Sequence, residues 1–210
     1  TAYVDPFREV NALNFACFVH DPMTGTPYSR DPRAIARKAQ KYLVSTGIGD
    51  TAYFAPEAEF YIFDDVRFET KPQSSYFHLD SHGASWNTGR EEEGGNLGYK
   101  TPSQGGYFPV APTDHFDDLR DGIVVHMENA GLEVERAHHE VGTAGQSEIN
   151  WKFDTLLKAA DDAMTFKYLV KNAAMQVGKS ATLMPKPLFG DNGSGMHVLQ
   201  SIWMTGKPIF

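Results

Sequence analysis

VERAHHEVGTAGQSEINWKF, residues 134–153, consists of two strand-like arms joined by the small-residue turn Thr143-Ala144-Gly145. Apolar and polar residues alternate in each arm, as they do in a half-buried strand. Glu140 and Glu148 lie almost symmetrically about the turn. The stretch therefore predicts a β-hairpin that brings carboxylates to one shared surface. Taken alone, the same pattern also fits an ordinary hairpin whose glutamates are solvated.

A second acidic pair lies in TAYFAPEAEFYIF, residues 51–63. Glu57 and Glu59 are two positions apart in a strongly β-forming run, so both side chains lie on the same face of the strand. The aromatic residues around them predict a strand in the core, where an unpaired charge is costly. Two such pairs in one chain favour a common carboxylate pocket over separate solvated positions.

Electrostatics predicts what such a pocket contains. Two carboxylates about 5 Å apart, at an effective dielectric constant near 20, repel by about 3 kcal/mol. A pocket of four must therefore take up protons or hold cations. His197 follows a glycine-rich segment at the start of a predicted strand, and we add it as a fifth ligand candidate. An ordinary hydrogen-bonded histidine is the alternative at this position.

Oxygen-dominated ligation with one imidazole suits Mg²⁺ or Mn²⁺ better than zinc, which prefers cysteine and histidine. Magnesium-class ions usually act on phosphates, so the pattern points to nucleotide-dependent chemistry. The sequence contains neither a P-loop nor a strand-opening GxGxxG motif, so the phosphate site must have another design.

Composition excludes several classes of function. The chain is 41% hydrophobic with a net charge of −8, and it contains no basic run, which disfavours a nucleic-acid or membrane-surface partner. It contains no apolar segment long enough to span a bilayer. The single cysteine, Cys17, fits a reducing compartment, and its strand-like neighbours predict a buried position.

Periodicity and capping signals predict the remaining elements. Asp31 and Pro32 open a helix with an apolar stripe that includes Ile35 and Tyr42, and Gly47 ends it. Residues 64–106 are polar and glycine-rich, which predicts a long functional or mobile loop. The other predicted elements are helices at 115–130 and 155–177, the latter capped by Asp154, and strands at 12–20, 182–189 and 196–203.

Two further motifs flank the carboxylates. The segment Gly190-Asp191-Asn192-Gly193-Ser194-Gly195 allows backbone to approach a ligand closely, although a plain flexible turn has the same composition. The tandem His138-His139 precedes Glu140 and is a candidate for orienting metal ligands from outside the coordination shell.

Four motifs together resemble, in order and spacing, the bacterial type I glutamine synthetases. They are Glu57 to Phe63, Gly105 to Pro109, His138 to Glu148 and Lys186 to His197. The resemblance implies an α+β fold, with a curved antiparallel β-sheet and helices packed on its outer face. It also implies that residues 1–27 are the C-terminal remnant of an N-terminal β-grasp domain and that 28–210 are part of the catalytic domain.

The resemblance assigns roles to individual residues. It assigns one metal to Glu59, Glu140 and Glu148, and the other, which contacts the nucleotide phosphates, to Glu57 and His197. It assigns glutamate binding to Asn192 and Gly193. It assigns ATP binding to Glu135, Trp151, Lys152, Phe153, Leu199, Gln200 and Ser201.

The implied reaction forms L-glutamine from L-glutamate and ammonia. ATP phosphorylates the γ-carboxylate of glutamate, and ammonia then displaces phosphate, with Mg²⁺ or Mn²⁺ bound. The implied setting is a cytoplasmic homo-oligomer of two stacked hexameric rings. Two alternatives stay open: a relative that joins glutamate to a polyamine or another amine, and a non-catalytic structural or regulatory protein of the same family.

One residue departs from the family pattern. Where the family has Met-His-x-His-Gln-Ser, this chain has Leu199 at the second histidine. Leucine cannot donate a hydrogen bond to phosphate, so we expect weaker nucleotide binding or turnover. The resemblance also implies that the remaining metal ligand, the substrate-binding arginines and a residue from a neighbouring subunit lie outside these 210 residues. We therefore expect the piece alone to be inactive, and we assign no catalytic residue within it.

Overall fold

A computed structural model describes residues 1–143 and 145–210. Its helices are α1 (Pro32–Thr46), α2 (Asp117–Asn129) and α3 (Leu156–Gln176), with a 3₁₀ turn at Ser85–Asn87. Its strands are β1 (Ala2–Val4), β2 (Leu13–Phe15), β3 (Thr51–Phe63), β4 (Asp65–Lys71), β5 (Ser74–Asp80), β6 (Val134–His139), β7 (Gln146–Trp151), β8 (Asp154–Thr155), β9 (Ser180–Thr182), β10 (Met196–Met204) and β11 (Lys207–Pro208).

The principal sheet is antiparallel and curled, with β3 at its centre. Its strands follow the order β11-β10-β3-β7-β6, and β8 and β9 pair with the two ends of β3. Helices α2 and α3 contact each other and the sheet. This arrangement confirms the predicted α+β fold with a curved antiparallel sheet.

The alternating pattern of β3 separates the two faces of this sheet. Phe60 and Ile62 point toward the helices, where they join a core that includes Phe166 and Leu169 of α3. The odd-numbered residues of β3 lie on the opposite face, which carries the predicted ligands. The fold therefore places a dry helix-side core behind the carboxylates.

The predicted hairpin is formed by β6 and β7. Its arms were expected to be half-buried, but every residue of β7 is buried. Helices cover one side of β7, and on the other side Gln146 contacts the glycine-rich segment at Gly193. Of the predicted turn, Ala144 lies outside the described residues.

Helix α1 begins and ends as predicted. The Asp31 side chain accepts a hydrogen bond from the Arg33 backbone N–H, and Gly47 adopts a left-handed conformation. Its predicted apolar stripe is only partly covered: Ala36 and Leu43 are half-buried, whereas the exposed fractions of Ile35 and Tyr42 are 56% and 71%. The Arg33 guanidinium makes a two-point ion pair with Asp161 of α3, which fixes α1 to the body of the fold.

Helices α2 and α3 lie within the predicted ranges. Helix α2 is followed by Gly131 in a positive-φ conformation, as expected for a helix stop. Helix α3 begins one residue later than predicted, because Thr155 rather than Asp154 occupies the cap position. Across the described residues, the helices lack the combination of length and apolarity that crossing a membrane requires.

Several sequence predictions were wrong in extent. The strand expected at 12–20 is only Leu13–Phe15, and Cys17 is exposed. The strand expected at 182–189 ends at Thr182. The polar segment 64–106 is more ordered than expected, because it opens with the β4-β5 hairpin and then closes around buried polar contacts. Asp80 is central to these contacts and accepts hydrogen bonds from Ser81, Trp86, Asn87 and Arg90.

Candidate metal and nucleotide site

Strand register brings the predicted ligands together on one face. Glu59 of β3 pairs with Glu148 of β7, and Glu148 pairs in turn with His138 of β6. On the other edge of β3, Glu57 pairs with His197 of β10. Residues paired across neighbouring strands point to the same face, so these five side chains share one surface.

The first cluster is formed by His138, Glu140 and Glu148. A potential ligand atom from each of the three side chains lies within 4.8 Å of the other two. The His138 Nδ1 atom is 3.7 Å from Glu140 Oε1, and its Nε2 atom is 3.6 Å from Glu148 Oε2. The histidine thus sits between two carboxylates that come from the two sides of the hairpin turn.

The cost of gathering these carboxylates appears at Glu140, whose pKa is raised to about 7. Burial of the side chain is the largest cause, opposed by a hydrogen bond from the Val141 backbone N–H. The proximity of Glu148 and the charge of Glu59 raise the pKa further. A cation bound here would remove this penalty, because it favours the ionised carboxylate.

The second cluster is formed by Glu57 and His197, with His197 Nδ1 3.4 Å from Glu57 Oε2. Gly195 lies between His197 and Glu59. A Cβ atom at Gly195 would lie 3.0 Å from His197 Nε2 and 3.1 Å from Glu59 Oε1. The absence of a side chain at this residue therefore leaves His197 Nε2 and Glu59 Oε1 uncrowded.

The chemistry of these donors fits hard divalent cations. Carboxylate oxygens dominate, with an imidazole in each cluster, which suits Mg²⁺ or Mn²⁺. Neighbouring amides also orient the ligands, since Asn150 Nδ2 donates to Glu148 Oε1 over 2.7 Å and Gln146 Nε2 donates to Glu59 Oε2 over 2.9 Å. Such supporting contacts are typical of metal sites.

From the sequence, His138 was a candidate only for orienting metal ligands, whereas in the structure it lies within reach of two predicted ligands, Glu140 and Glu148. The hairpin pattern contains a signal for this, because strands that are symmetric about Thr143 pair residue 138 with residue 148. His139 points to the other side, where its Nδ1 atom lies 2.9 Å from the Gly106 carbonyl oxygen. That contact fixes the 101–106 segment beside the hairpin.

The two predicted glutamate-binding residues, Asn192 and Gly193, lie beside the first cluster. The Tyr61 hydroxyl donates to the Asn192 carbonyl oxygen over 2.6 Å, and Gln146 Nε2 donates to the Gly193 carbonyl oxygen over 2.8 Å. Side chains of the sheet therefore contact the backbone of this segment at two consecutive carbonyl groups.

The predicted ATP-binding residues divide between the two faces. Leu199 and Ser201 lie on the face of β10 that carries His197, whereas Gln200 alternates to the helix side. The exposed Phe153 ring packs edge-on against Tyr53, with centroids 5.2 Å apart, close to Trp203 on the same face. These three aromatic rings pack edge-to-face on the sheet face that carries the two clusters.

The other three predicted ATP-binding residues lie elsewhere. The Trp151 side chain is 2% exposed and packs against Phe166 in the helix-side core. Lys152 is paired with Glu133 at 2.9 Å on the surface. Glu135 is exposed at the point where the β6-β7 register shifts. The structure does not gather these three side chains beside Ser201.

Comparison with known proteins gives a consistent result. The family described as "Glutamine synthetase, catalytic domain" matches residues 29–210. A glutamine synthetase of Streptomyces coelicolor is 62% identical over 210 residues, covering 100% of this chain and 44% of that protein. One of Mycolicibacterium smegmatis is 60% identical over 213 residues, covering 100% of this chain and 45% of that protein.

A solved structure is also similar. The glutamine synthetase of Plasmodium falciparum, determined by electron cryo-microscopy, superimposes with a TM-score of 0.88 at 30% sequence identity. The match covers 100% of this chain and 41% of that one. The chain thus spans less than half the length of the relatives it matches.

Proposed function

Because this chain belongs to the glutamine synthetase family, we propose that the full-length protein is an ATP-dependent glutamate–ammonia ligase. It forms L-glutamine through a γ-glutamyl phosphate intermediate, with Mg²⁺ or Mn²⁺ bound. The observation that supports this most directly is the convergence of two carboxylate–imidazole clusters on one sheet face. The reaction joins two anions, glutamate and ATP, and such chemistry depends on cations and positioning.

Glu59, Glu140 and Glu148, together with His138, would hold one divalent ion. Glu57 and His197 would contribute to holding a second ion nearer the nucleotide. When bound, these ions supply positive charge that offsets the charge of the phosphates and of the carboxylate being phosphorylated. The chain's own contribution is to keep its ligands oriented through Gln146 and Asn150.

The surroundings suggest where the substrates lie. We assign glutamate to the loop at Asn192 and Gly193, beside the first cluster. We assign the nucleotide to the strip of β10 that carries Leu199 and Ser201, with the exposed Phe153 ring available for stacking on a base. The strip begins at His197, so a phosphate chain placed there would meet the second cluster.

The family resemblance also supports a cytoplasmic homo-oligomer, and we propose two stacked hexameric rings for the full-length protein. We propose that residues 1–27 are the C-terminal part of an N-terminal β-grasp domain. In this structure β1 and β2 form a separate two-stranded sheet, and Tyr3 and Phe7 pack against the core that α2 and α3 share with the principal sheet.

The test is an assay of the full-length protein for glutamine, ADP and phosphate in the presence of Mg²⁺ or Mn²⁺. We expect activity that Glu148→Gln reduces at least about 100-fold, because it removes a charged ligand. Glu69→Gln, which alters a carboxylate on the distant β4-β5 hairpin, is the matched control and should leave activity unchanged. Replacing ammonia by a polyamine separates the alternative ligase, and absence of ATP-dependent turnover with either amine would refute the proposal.

A further inference from the structure

The backbone of the 190–193 loop is held by side chains at four consecutive carbonyl oxygens. Gln104 Nε2 donates to the Gly190 carbonyl over 3.2 Å, and Lys186 Nζ donates to the Asp191 carbonyl. Tyr61 and Gln146 donate to the next two carbonyls, those of Asn192 and Gly193, as described above. A loop rich in glycine has high conformational entropy when free, so this set of contacts selects one conformation of it.

Two of these donors belong to the sheet itself. Tyr61 of β3 and Gln146 of β7 are paired across the two strands, and both are at most 1% exposed. Their contacts with the loop are therefore shielded from water, where a hydrogen bond is costly to lose. The rigid centre of the sheet determines the position of the loop.

The position of the loop determines the direction of the Gly193 N–H. In a trans peptide the carbonyl oxygen and the following N–H point in opposite directions. Holding the Asn192 carbonyl against Tyr61 therefore turns the Gly193 N–H away from the tyrosine. An N–H group fixed in this way is a suitable donor to a substrate carboxylate.

Gln146 links the loop to a proposed metal ligand. Its Nε2 group donates both to the Gly193 carbonyl and to Glu59 Oε2, and its Oε1 atom accepts from the Gly142 N–H over 2.7 Å. These three contacts use both N–H donors of the amide and one of its acceptor sites. A Cβ atom at Gly142 would lie 2.0 Å from the Tyr61 hydroxyl, so close packing keeps both side chains in place.

We propose that Tyr61 and Gln146 are positioning residues for glutamate, and that Gln146 couples the glutamate loop to Glu59, one of the proposed metal ligands. This inference rests on the proposed function, since it takes the loop to be the glutamate site. Neither residue needs to contact the substrate. Each acts through the loop backbone, and only Gln146 acts also through a metal ligand.

The coupling makes the two residues experimentally distinguishable. Tyr61→Phe removes a single hydroxyl and keeps the ring, so it should raise the KM for glutamate about tenfold while the affinity for Mn²⁺ stays unchanged. Gln146→Glu places a carboxylate oxygen against Glu59 and the Gly193 carbonyl. It should therefore change the Mn²⁺ affinity and the KM for glutamate together, because the same side chain contacts both Glu59 and the loop.

The experiment measures the KM for glutamate, kcat and the Mn²⁺ dissociation constant of the full-length protein and its variants. Calorimetric titration of glutamate in the presence of Mn²⁺ adds a readout that does not depend on turnover. The matched control is Tyr168→Phe, which removes a hydroxyl bonded over an equal 2.6 Å to Asp5, on the helix side of the fold. It should reduce stability without changing the KM for glutamate.

The kinetic and binding results for these variants either support or overturn the positioning role of Tyr61. A higher KM and weaker glutamate binding in Tyr61→Phe, with unchanged Mn²⁺ affinity, support the positioning role even if Gln146→Glu fails to fold. An active wild-type protein whose Tyr61→Phe variant keeps its KM, or whose Tyr168→Phe control shifts the KM equally, overturns the inference and leaves the ligase function standing. A wild-type protein that neither turns over nor binds glutamate overturns both.

Discussion

Lowering the pH should weaken metal binding through Glu140, and the structure sets the size of the effect. The pKa of this carboxyl is raised from 4.5 to about 7, and its side chain is only 13% exposed. That difference corresponds to about 3 kcal/mol between the protonated and the ionised forms. Because the pKa is raised, the carboxyl is protonated below pH 7 and must lose its proton before it can bind a cation.

Metal binding should therefore release protons in a pH-dependent way. With a pKa of about 7, Glu140 is about 90% protonated at pH 6 and about 10% protonated at pH 8. The uptake of one Mn²⁺ by the first cluster should thus release about 0.9 proton from this residue at pH 6 and about 0.1 at pH 8. The apparent dissociation constant should rise about tenfold for each pH step of one below 7.

The assay is calorimetric titration of Mn²⁺ into the metal-free full-length protein, in two buffers with different ionisation enthalpies. The difference between the buffers counts the protons released. The variant Glu140→Gln isolates the contribution of this residue from that of its neighbour His138, and it should lose the extra proton release at pH 6. Equal proton counts in wild type and variant at pH 6 would show that Glu140 is not the group that loses a proton when Mn²⁺ binds.

Three other predictions follow from the packing. Leu199→His should lower the KM for ATP about tenfold in steady-state kinetics, because it adds a donor for phosphate; an unchanged KM would contradict the nucleotide assignment. Trp151→Ala should cost about 3–5 kcal/mol of unfolding free energy in urea titrations, because Trp151 is buried in the core. Phe153→Ala should cost under about 1 kcal/mol, because this ring is exposed, and it should raise the KM for ATP. Equal destabilisation by the two variants would contradict the burial of Trp151 and the exposure of Phe153. Arg33→Ala should destabilise by about 3 kcal/mol, measured in the same way, since it removes the guanidinium partner of the buried Asp161 carboxylate and leaves it only its contacts with Thr1; a loss below about 0.5 kcal/mol would contradict the importance of this pair.

The sequence predicted the central hairpin and its carboxylates well because strand alternation is a local property. Glu57 and Glu59 lie on one face of β3 by period alone, and the hairpin turn fixes which residues of β6 and β7 meet. Residues that meet across the sheet were harder to place. Glu57 pairs with His197, which lies about 140 positions further along the chain. The two residues were assigned to the same metal only by the family resemblance.

Other features could not be read from local patterns. The apolar stripe of α1 was predicted correctly as a pattern, but a pattern does not specify which surface covers it, and Tyr42 is exposed in this structure. Trp151 was assigned to the nucleotide by resemblance, whereas strand alternation alone puts its side chain in the helix-side core. The roles of Tyr61 and Gln146 had no sequence signal, since they depend on the path of the distant 190–193 loop.

The proposed function requires the two clusters on one sheet face to bind divalent ions. The most direct measurement is anomalous diffraction at the manganese edge from crystals of the full-length protein grown with Mn²⁺. We expect one peak among Glu59, Glu140, Glu148 and His138, and a second beside Glu57 and His197. Well-ordered side chains at these positions, with manganese peaks elsewhere or with none under saturating Mn²⁺, would contradict it.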